Sequence, residues 1–151
     1  CVQTVYEFEN LNYKFSITKT KTKPQELHKK FIDEMSEIDD VLIKHYLGLK
    51  FKNIDYFVLS QEDLYIGFGS GVQEHGFITI YELFVISKYR ELGFGTKIFD
   101  VIRNYSKSLD LKIRSITLPS DRTGKNFYES NLITARVLIM EEKRENTRYR
   151  P

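Results

Sequence analysis

The sequence predicts a single-domain α/β fold, with a mixed sheet carrying helices on both faces. Three features predict it. Strand-like runs bounded by turn residues dominate the first half. One long amphipathic helical pattern interrupts them near the start. The second half runs strand, glycine turn, helix, strand, a crossover that makes its two strands parallel and right-handed.

Residues 12–20 alternate apolar and polar through Tyr13, Phe15 and Ile17, as a half-buried strand does. Pro24 stops that strand and introduces a helix whose apolar face is Leu27, Phe31, Met35, Ile38, Leu42 and Tyr46. Asp33, Glu34, Glu37, Asp39 and Asp40 line the opposite face, and Gly48 ends the helix or its second half. Strands are expected over Tyr56–Ser60 and Leu64–Gln73, joined by Gln61-Glu62-Asp63. A turn at Glu74-His75-Gly76 leads to the strand Phe77–Ile86. Ile98, Val101 or Ile102, Tyr105 and Leu109 mark the next helix, which starts after Gly95. A strand over Ile113–Leu118 ends at Pro119; a short helix through Phe127 and Tyr128 and a strand over Ala135–Glu142 close the pattern.

The 151 residues suit one domain and are enough to bury a core, and a composition 41% hydrophobic and 14% aromatic argues against disorder. No repeat or linker divides the chain. No run of 18 apolar residues suggests a membrane span, and no charged, apolar leader is visible. Cys1 is the only cysteine, so no intrachain disulfide can form and a reducing, cytoplasmic setting is expected. A net charge of +2 is too small to imply nucleic acid. Lysines and arginines do gather near the start and in a basic tail over residues 143–151, and a nucleic-acid binder using those ends would show steep salt dependence. The three histidines have no metal-ligand spacing, and no metal is expected.

Two glycine clusters carry different messages. Gly67, Gly69 and Gly71 lie inside a strand pattern, where they signal a bulge or a close backbone approach. Gly93 and Gly95 precede a helix instead. A dinucleotide loop would place a third glycine where Ile98 stands, and a Walker loop would reverse the order of Thr96 and Lys97. A strand, a basic turn and a glycine-opened helix form a cradle for pyrophosphate. Backbone N–H groups from Glu91, Leu92, Gly93, Phe94, Gly95 and Thr96, with the Thr96 hydroxyl, are the expected donors. Arg90, Lys97 and Lys125 would add positive charge from the rim.

Arg90, Gly93 and Gly95 satisfy the pattern Arg/Gln-x-x-Gly-x-Gly/Ala, which resembles the coenzyme A-binding motif of the GNAT superfamily of N-acetyltransferases. The longer string from Phe84 to Gly95 most resembles the polyamine (diamine) acetyltransferase branch, with Glu91 standing where glycine is common. Downstream, Phe127 and Tyr128 match the family's Phe-Tyr pair, Gly124 replaces an alanine, and Asp121 stands where asparagine is usual. The resemblance spans about residues 77–142.

The resemblance implies a GNAT-like acyltransferase fold and acetyl-CoA as co-substrate. It assigns acceptor binding to about residues 1–76 and acetyl-CoA binding to about 77–142. It also implies that the pantetheine arm pairs with the strand at Leu83, Phe84 and Val85, as an added strand would, and that Asp121 and Lys125 border the cofactor. Such pairing requires the two parallel strands to splay apart. The implied reaction is direct acetyl transfer to a primary amine in a ternary complex. Tyr128 stands at the family's tyrosine position as general acid, and Glu82 is the candidate base. A small polyamine-like amine or a protein amine fits as acceptor, the acidic helix face could steer it by Coulomb attraction, and a homodimer is open. The competing reading is a GNAT fold without catalysis, acting as a CoA sensor or a macromolecule-binding module; Glu91 and Asp121 are the features that favour it.

Overall fold

The computed structural model describes residues 2–142, so the basic tail over 143–151 and Cys1 lie outside the described residues. The chain divides into two compact units, one ending at Ile116 and one beginning at Thr117. The first contains a six-stranded sheet in the order β1-β2-β3-β4-β5-β6. Its strands are β1 (Gln3–Asn10), β2 (Tyr13–Thr20), β3 (Ile54–Gln61), β4 (Leu64–Glu74), β5 (Phe77–Val85) and β6 (Lys112–Ser115). All neighbours are antiparallel except β5 and β6, which run parallel as the crossover predicts. Helices α1 (Gln25–Ile38) and α2 (Asp40–Leu47) join β2 to β3, and α3 (Phe94–Ser108) joins β5 to β6.

Four expectations need correction. Strand β1 precedes the first strand read from sequence; Asn10 pairs with Tyr13 across a two-residue turn in which Leu11 and Asn12 have φ of 51° and 68°. That left-handed pair is the backbone a tight hairpin demands, but β1's mostly exposed side chains give no clean alternation. The single long helix is two helices. Asp39 is extended, with φ −167°, and its carboxylate accepts from the Val41 N–H at 2.9 Å, so it caps α2. Strand β6 stops at Ser115 rather than Leu118. Residues 135–142 form no strand: Val137, Leu138, Ile139 and Met140 are each about four-fifths exposed. An apolar run becomes a strand only where a neighbouring edge takes its backbone hydrogen bonds, and no such ladder forms there among the described residues.

The three strand glycines are the floor on which α3 lies. A Cβ at Gly69 would stand 2.9 Å from Ile102 Cδ1 and 3.0 Å from Ile98 Cγ2, both on α3. At Gly67 it would stand 2.6 Å from the Phe84 carbonyl oxygen. The close backbone approach expected from sequence is therefore real, and its purpose is to let the buried Ile98 and Ile102 reach the sheet.

A bulge sits next to these glycines. Ser70 pairs with Glu82 and Gly71 with Ile80, which leaves Tyr81 as an extra residue on β5. One extra residue reverses the side of the sheet that later side chains occupy. Ahead of it, Ile78 lies on the α3 side against the Gly71 position. Beyond it, Leu83 and Val85 take the α3 side beside Gly69 and Gly67. Glu82 and Phe84 turn to the α1 side, where Glu82 meets His28 and the Phe84 ring stands 5.7 Å from that of Phe31.

Gly67→Ala forces its methyl against a carbonyl that belongs to the sheet and cannot move away, whereas the contact of Gly71 is a side-chain methyl at 3.1 Å. We expect Gly67→Ala to cost about 1–3 kcal/mol and Gly71→Ala distinctly less, measured by urea unfolding; equal losses would mean that the floor is not rigid at Phe84.

Candidate active site

Four elements converge on one residue, Glu82. Glu82 is 5% exposed, and its Oε2 lies 2.7 Å from Nε2 of His28, itself buried on α1. The Glu82 N–H donates to the Ser70 hydroxyl of β4 at 3.2 Å. Tyr56 of β3 has its hydroxyl pKa pushed up to about 12, first by burial and then by the negative charge of Glu82. Its phenol therefore stays protonated at neutral pH. His45 of α2 has its pKa lowered by burial, with the charge of Glu82 opposing that shift, and its Nε2 is buried without a hydrogen-bond partner among the described residues. The Glu82 carboxylate is thus buried, held by His28, and close enough to Tyr56 and His45 for its charge to act on both.

A pocket of about 260 Å³ opens beside this cluster. Lys23, Tyr46, Lys50, Phe51, Tyr56 and Glu82 line it. It lies between the end of β2, the loop after α2 and the bulged strand. Tyr81, the bulge residue, anchors the Phe51 side of the wall with ring centroids 4.4 Å apart and donates to Glu74 at 2.5 Å.

Strand β5 outruns its parallel neighbour. The β5–β6 ladder begins at Phe77 and Lys112, reaches Ile80 and Ser115, and closes with the Ile116 N–H donating to the Ile80 carbonyl at 3.1 Å. Residues Tyr81–Val85 extend beyond it with no β6 pairing. Leu83, Phe84 and Val85 thus lie past the end of the β5–β6 ladder.

The strand then enters a 3-10 turn at Ser87–Tyr89 and the glycine loop. Gly93 has φ 82° and supplies no capping side chain, so the first N–H groups of α3 are left for solvent or an anion. A Cβ at Gly93 would meet nothing within 4 Å; glycine is favoured there by its backbone conformation, not by crowding. Glu91 has φ 63°, a left-handed conformation that costs an ordinary residue energy. Phe94, 2% exposed, wedges the loop in place against Phe15 at 4.9 Å and Phe8 at 6.0 Å. Leu92 and Thr96 are exposed, and the ammonium of Lys97 lies 5.3 Å from the Phe8 ring.

Arg90 is engaged within the protein. Its Nε donates to the Val85 carbonyl at 2.8 Å, and its guanidinium pairs with Glu34 of α1 at 2.7 Å. The acidic helix face is therefore partly structural: Glu34 ties down the loop and Asp39 caps α2, while Asp33, Glu37 and Asp40 stay exposed.

In the second unit, α4 spans Arg122–Ser130. Asp121 caps it, accepting from the Gly124 N–H at 3.0 Å and from the Thr117 hydroxyl at 3.4 Å. A Cβ at Gly124 would stand 2.6 Å from the Asp121 carboxylate, which accounts for glycine where the resemblance leads one to expect alanine. Lys125 pairs with Glu129 at 3.5 Å, and Tyr128 is 7% exposed.

Sequence reasoning picked out Glu82 and the 90–96 loop but missed Lys23, His28, His45, Lys50 and Tyr56. His28 did leave a signal: it stands beside Leu27 on the buried face of α1, where an unpartnered imidazole would be costly. Among the described residues no group of three or more His, Cys, Asp or Glu could hold a metal ion, and no helix is long and apolar enough to cross a membrane.

The family model of the acetyltransferase (GNAT) domain matches residues 19–131. No curated protein matches the chain in sequence. Among solved structures, a Pyrococcus furiosus protein assigned to the acetyl transferases aligns with TM-score 0.68 and 19% identity, over 85% of this chain and 99% of that one. The aminoglycoside N-acetyltransferase AAC(6')-Iy, solved with CoA, aligns with TM-score 0.60 and 14% identity, over 85% and 95% of the two chains. A GNAT-family acetyltransferase from Streptococcus pneumoniae aligns with TM-score 0.56 and 16% identity, over 85% and 99%. At these identities the likeness shows the fold.

The left-handed Glu91 gives a test of the loop. Glu91→Gly should be more stable than Glu91→Ala, which keeps the strain, by up to about 1 kcal/mol. Urea unfolding of both variants checks it; equal values would mean that the conformation at residue 91 is not strained.

Proposed function

The chain belongs to the GNAT acetyltransferase family, and from that premise we propose that it transfers an acetyl group from acetyl-CoA to a primary amine by direct attack in a ternary complex. The observation that carries the proposal is the buried Glu82, turned by the β5 bulge toward an open pocket and followed at once by a strand edge with no β6 pairing. That edge and the uncapped start of α3 fit a thioester carrier: Leu83, Phe84 and Val85 would hold its arm, and the N–H groups from Glu91 to Thr96 its pyrophosphate. Asp121 and Lys125 are assigned to the cofactor side on the motif alone. Acceptor binding falls to about residues 1–76, with Glu82 at the border of the half that binds acetyl-CoA, all within one cytoplasmic domain.

When bound, acetyl-CoA supplies the activated acetyl group. A primary amine of pKa about 10.4 is almost wholly protonated at pH 7 and cannot attack in that form. Glu82 accepts the proton, directly or through water, and His28 positions its carboxylate. The amine nitrogen bonds to the carbonyl carbon and the carbon–sulfur bond breaks; Tyr128 protonates the departing thiolate, and the second proton leaving the nitrogen restores the Tyr128 hydroxyl, directly or through water. Tyr128 has this role from its place in the Phe-Tyr motif.

A second reading is a CoA-binding module without turnover, favoured by the exposed negative charge of Glu91 in the phosphate loop. Thermal shift with acetyl-CoA and with CoA, run beside a thiol-release assay over an amine panel, separates the two. Stabilisation with turnover supports the enzyme, stabilisation without turnover the module, and no stabilisation defeats both. For the enzyme, Glu82→Gln and Tyr128→Phe should each lower kcat by about 10²–10⁴ while leaving acetyl-CoA affinity nearly intact. Unchanged kcat in either variant removes that residue from its role.

A further inference from the structure

We propose that the acceptor is a small primary amine that also carries an anionic group, a carboxylate, sulfonate or phosphate, and that Lys23 and Lys50 recognise that group. The inference rests on the Glu82 pocket being the acceptor site and narrows its substrate class.

The charge inventory of the pocket carries it. Glu82 is the one acidic residue in the lining, and its Oε2 is already bonded to His28 at 2.7 Å. The same lining holds two lysines, Lys23 and Lys50, and neither makes an ion pair among the described residues. Two other cations of the same unit differ. Lys21, two residues before Lys23, is neutralised by Asp55 at 2.9 Å, and Arg90 is neutralised by Glu34 at 2.7 Å. Lys21 and Arg90 thus have carboxylate partners, while the two lysines of the lining have none among the described residues.

A diamine acceptor would bring a second ammonium into this lining with no free carboxylate to receive it, and like charges brought together oppose binding. An anionic group gains from both lysines. The rest of the lining suits a short carbon chain, since Tyr46, Phe51 and Tyr56 present aromatic surface and the raised pKa of Tyr56 keeps its hydroxyl neutral. The volume of about 260 Å³ lies below the usual range for drug-sized ligands, which limits the acceptor to a small molecule. This departs from the polyamine resemblance of the glycine loop. The two are compatible, because the loop is read as facing the cofactor and the pocket as facing the acceptor.

The test is equilibrium binding, measured calorimetrically on the full chain in the presence of CoA, with matched amines: β-alanine, taurine and O-phosphoethanolamine against propylamine, ethanolamine and putrescine. The anionic amines should bind at least about tenfold tighter than the neutral and cationic ones, a difference of about 1.4 kcal/mol. That preference should shrink toward unity in the double variant Lys23→Gln, Lys50→Gln, whose Tm should match that of the parent. Tighter binding of putrescine, a preference that survives loss of both lysines, or no binding of any anionic amine overturns the proposal. Thiol release with the same panel separates this inference from the enzymatic reading. Binding of the anionic amines without release defeats acetyl transfer alone, and release with putrescine in preference to its anionic partners defeats the present inference alone.

Discussion

One extra residue on β5 decides what this protein can do. Without the bulge at Tyr81, strict alternation would place Glu82 on the same side as Ile78 and Ile80, against α3. A carboxylate there would be buried among isoleucines with no partner, at a cost of several kcal/mol or with its charge lost. With the bulge, the same carboxylate turns to the α1 side and finds His28, while Leu83 and Val85 inherit the apolar side. The glycine floor is the other half of this arrangement. It lets α3 lie close enough for Ile98 and Ile102 to fill the space that the flipped strand leaves on that side.

The parts around the bulge are fixed in advance of any ligand. Phe94 pins the start of α3 from below through Phe8 and Phe15, and Arg90 ties the loop to the Val85 carbonyl and to Glu34. Arg90 therefore acts first as a brace between α1 and the end of β5, and its charge is largely answered by Glu34 before any phosphate arrives. The loop's affinity for anions must then come mainly from backbone N–H groups, which suits a helix start whose cap is glycine. Preorganised donors of this kind lose little on binding.

Much of the fold was legible in the sequence because periodicity and punctuation agree across β2 to α3, and the parallel β5–β6 pair follows from the crossover alone. The failures have local physical causes. β1 is an edge strand held by one neighbour and by aromatic contacts, so its pattern is not that of a buried face. The helix break at Asp39 is hidden because an aspartate fits both a polar helix face and an N-cap. The apolar run Val137–Met140 has the composition of a strand but joins no ladder among the described residues. The site was half legible: the loop has a motif, but the pocket is assembled from the segment between β2 and α1, α2, the loop between α2 and β3, β3 and β5. Nothing in linear order reveals that Lys23, Lys50 and Glu82 share a wall, or that a bulge rather than alternation chooses the direction of Glu82.

The central claim is that the unpaired end of β5 and the first amides of α3 form one continuous binding surface next to Glu82. Amide hydrogen exchange with and without acetyl-CoA measures it residue by residue. Slowed exchange confined to Tyr81–Val85 and Glu91–Thr96, with the β2–β3 ladder unchanged, is the result expected. Protection elsewhere with those two segments unaffected would contradict it.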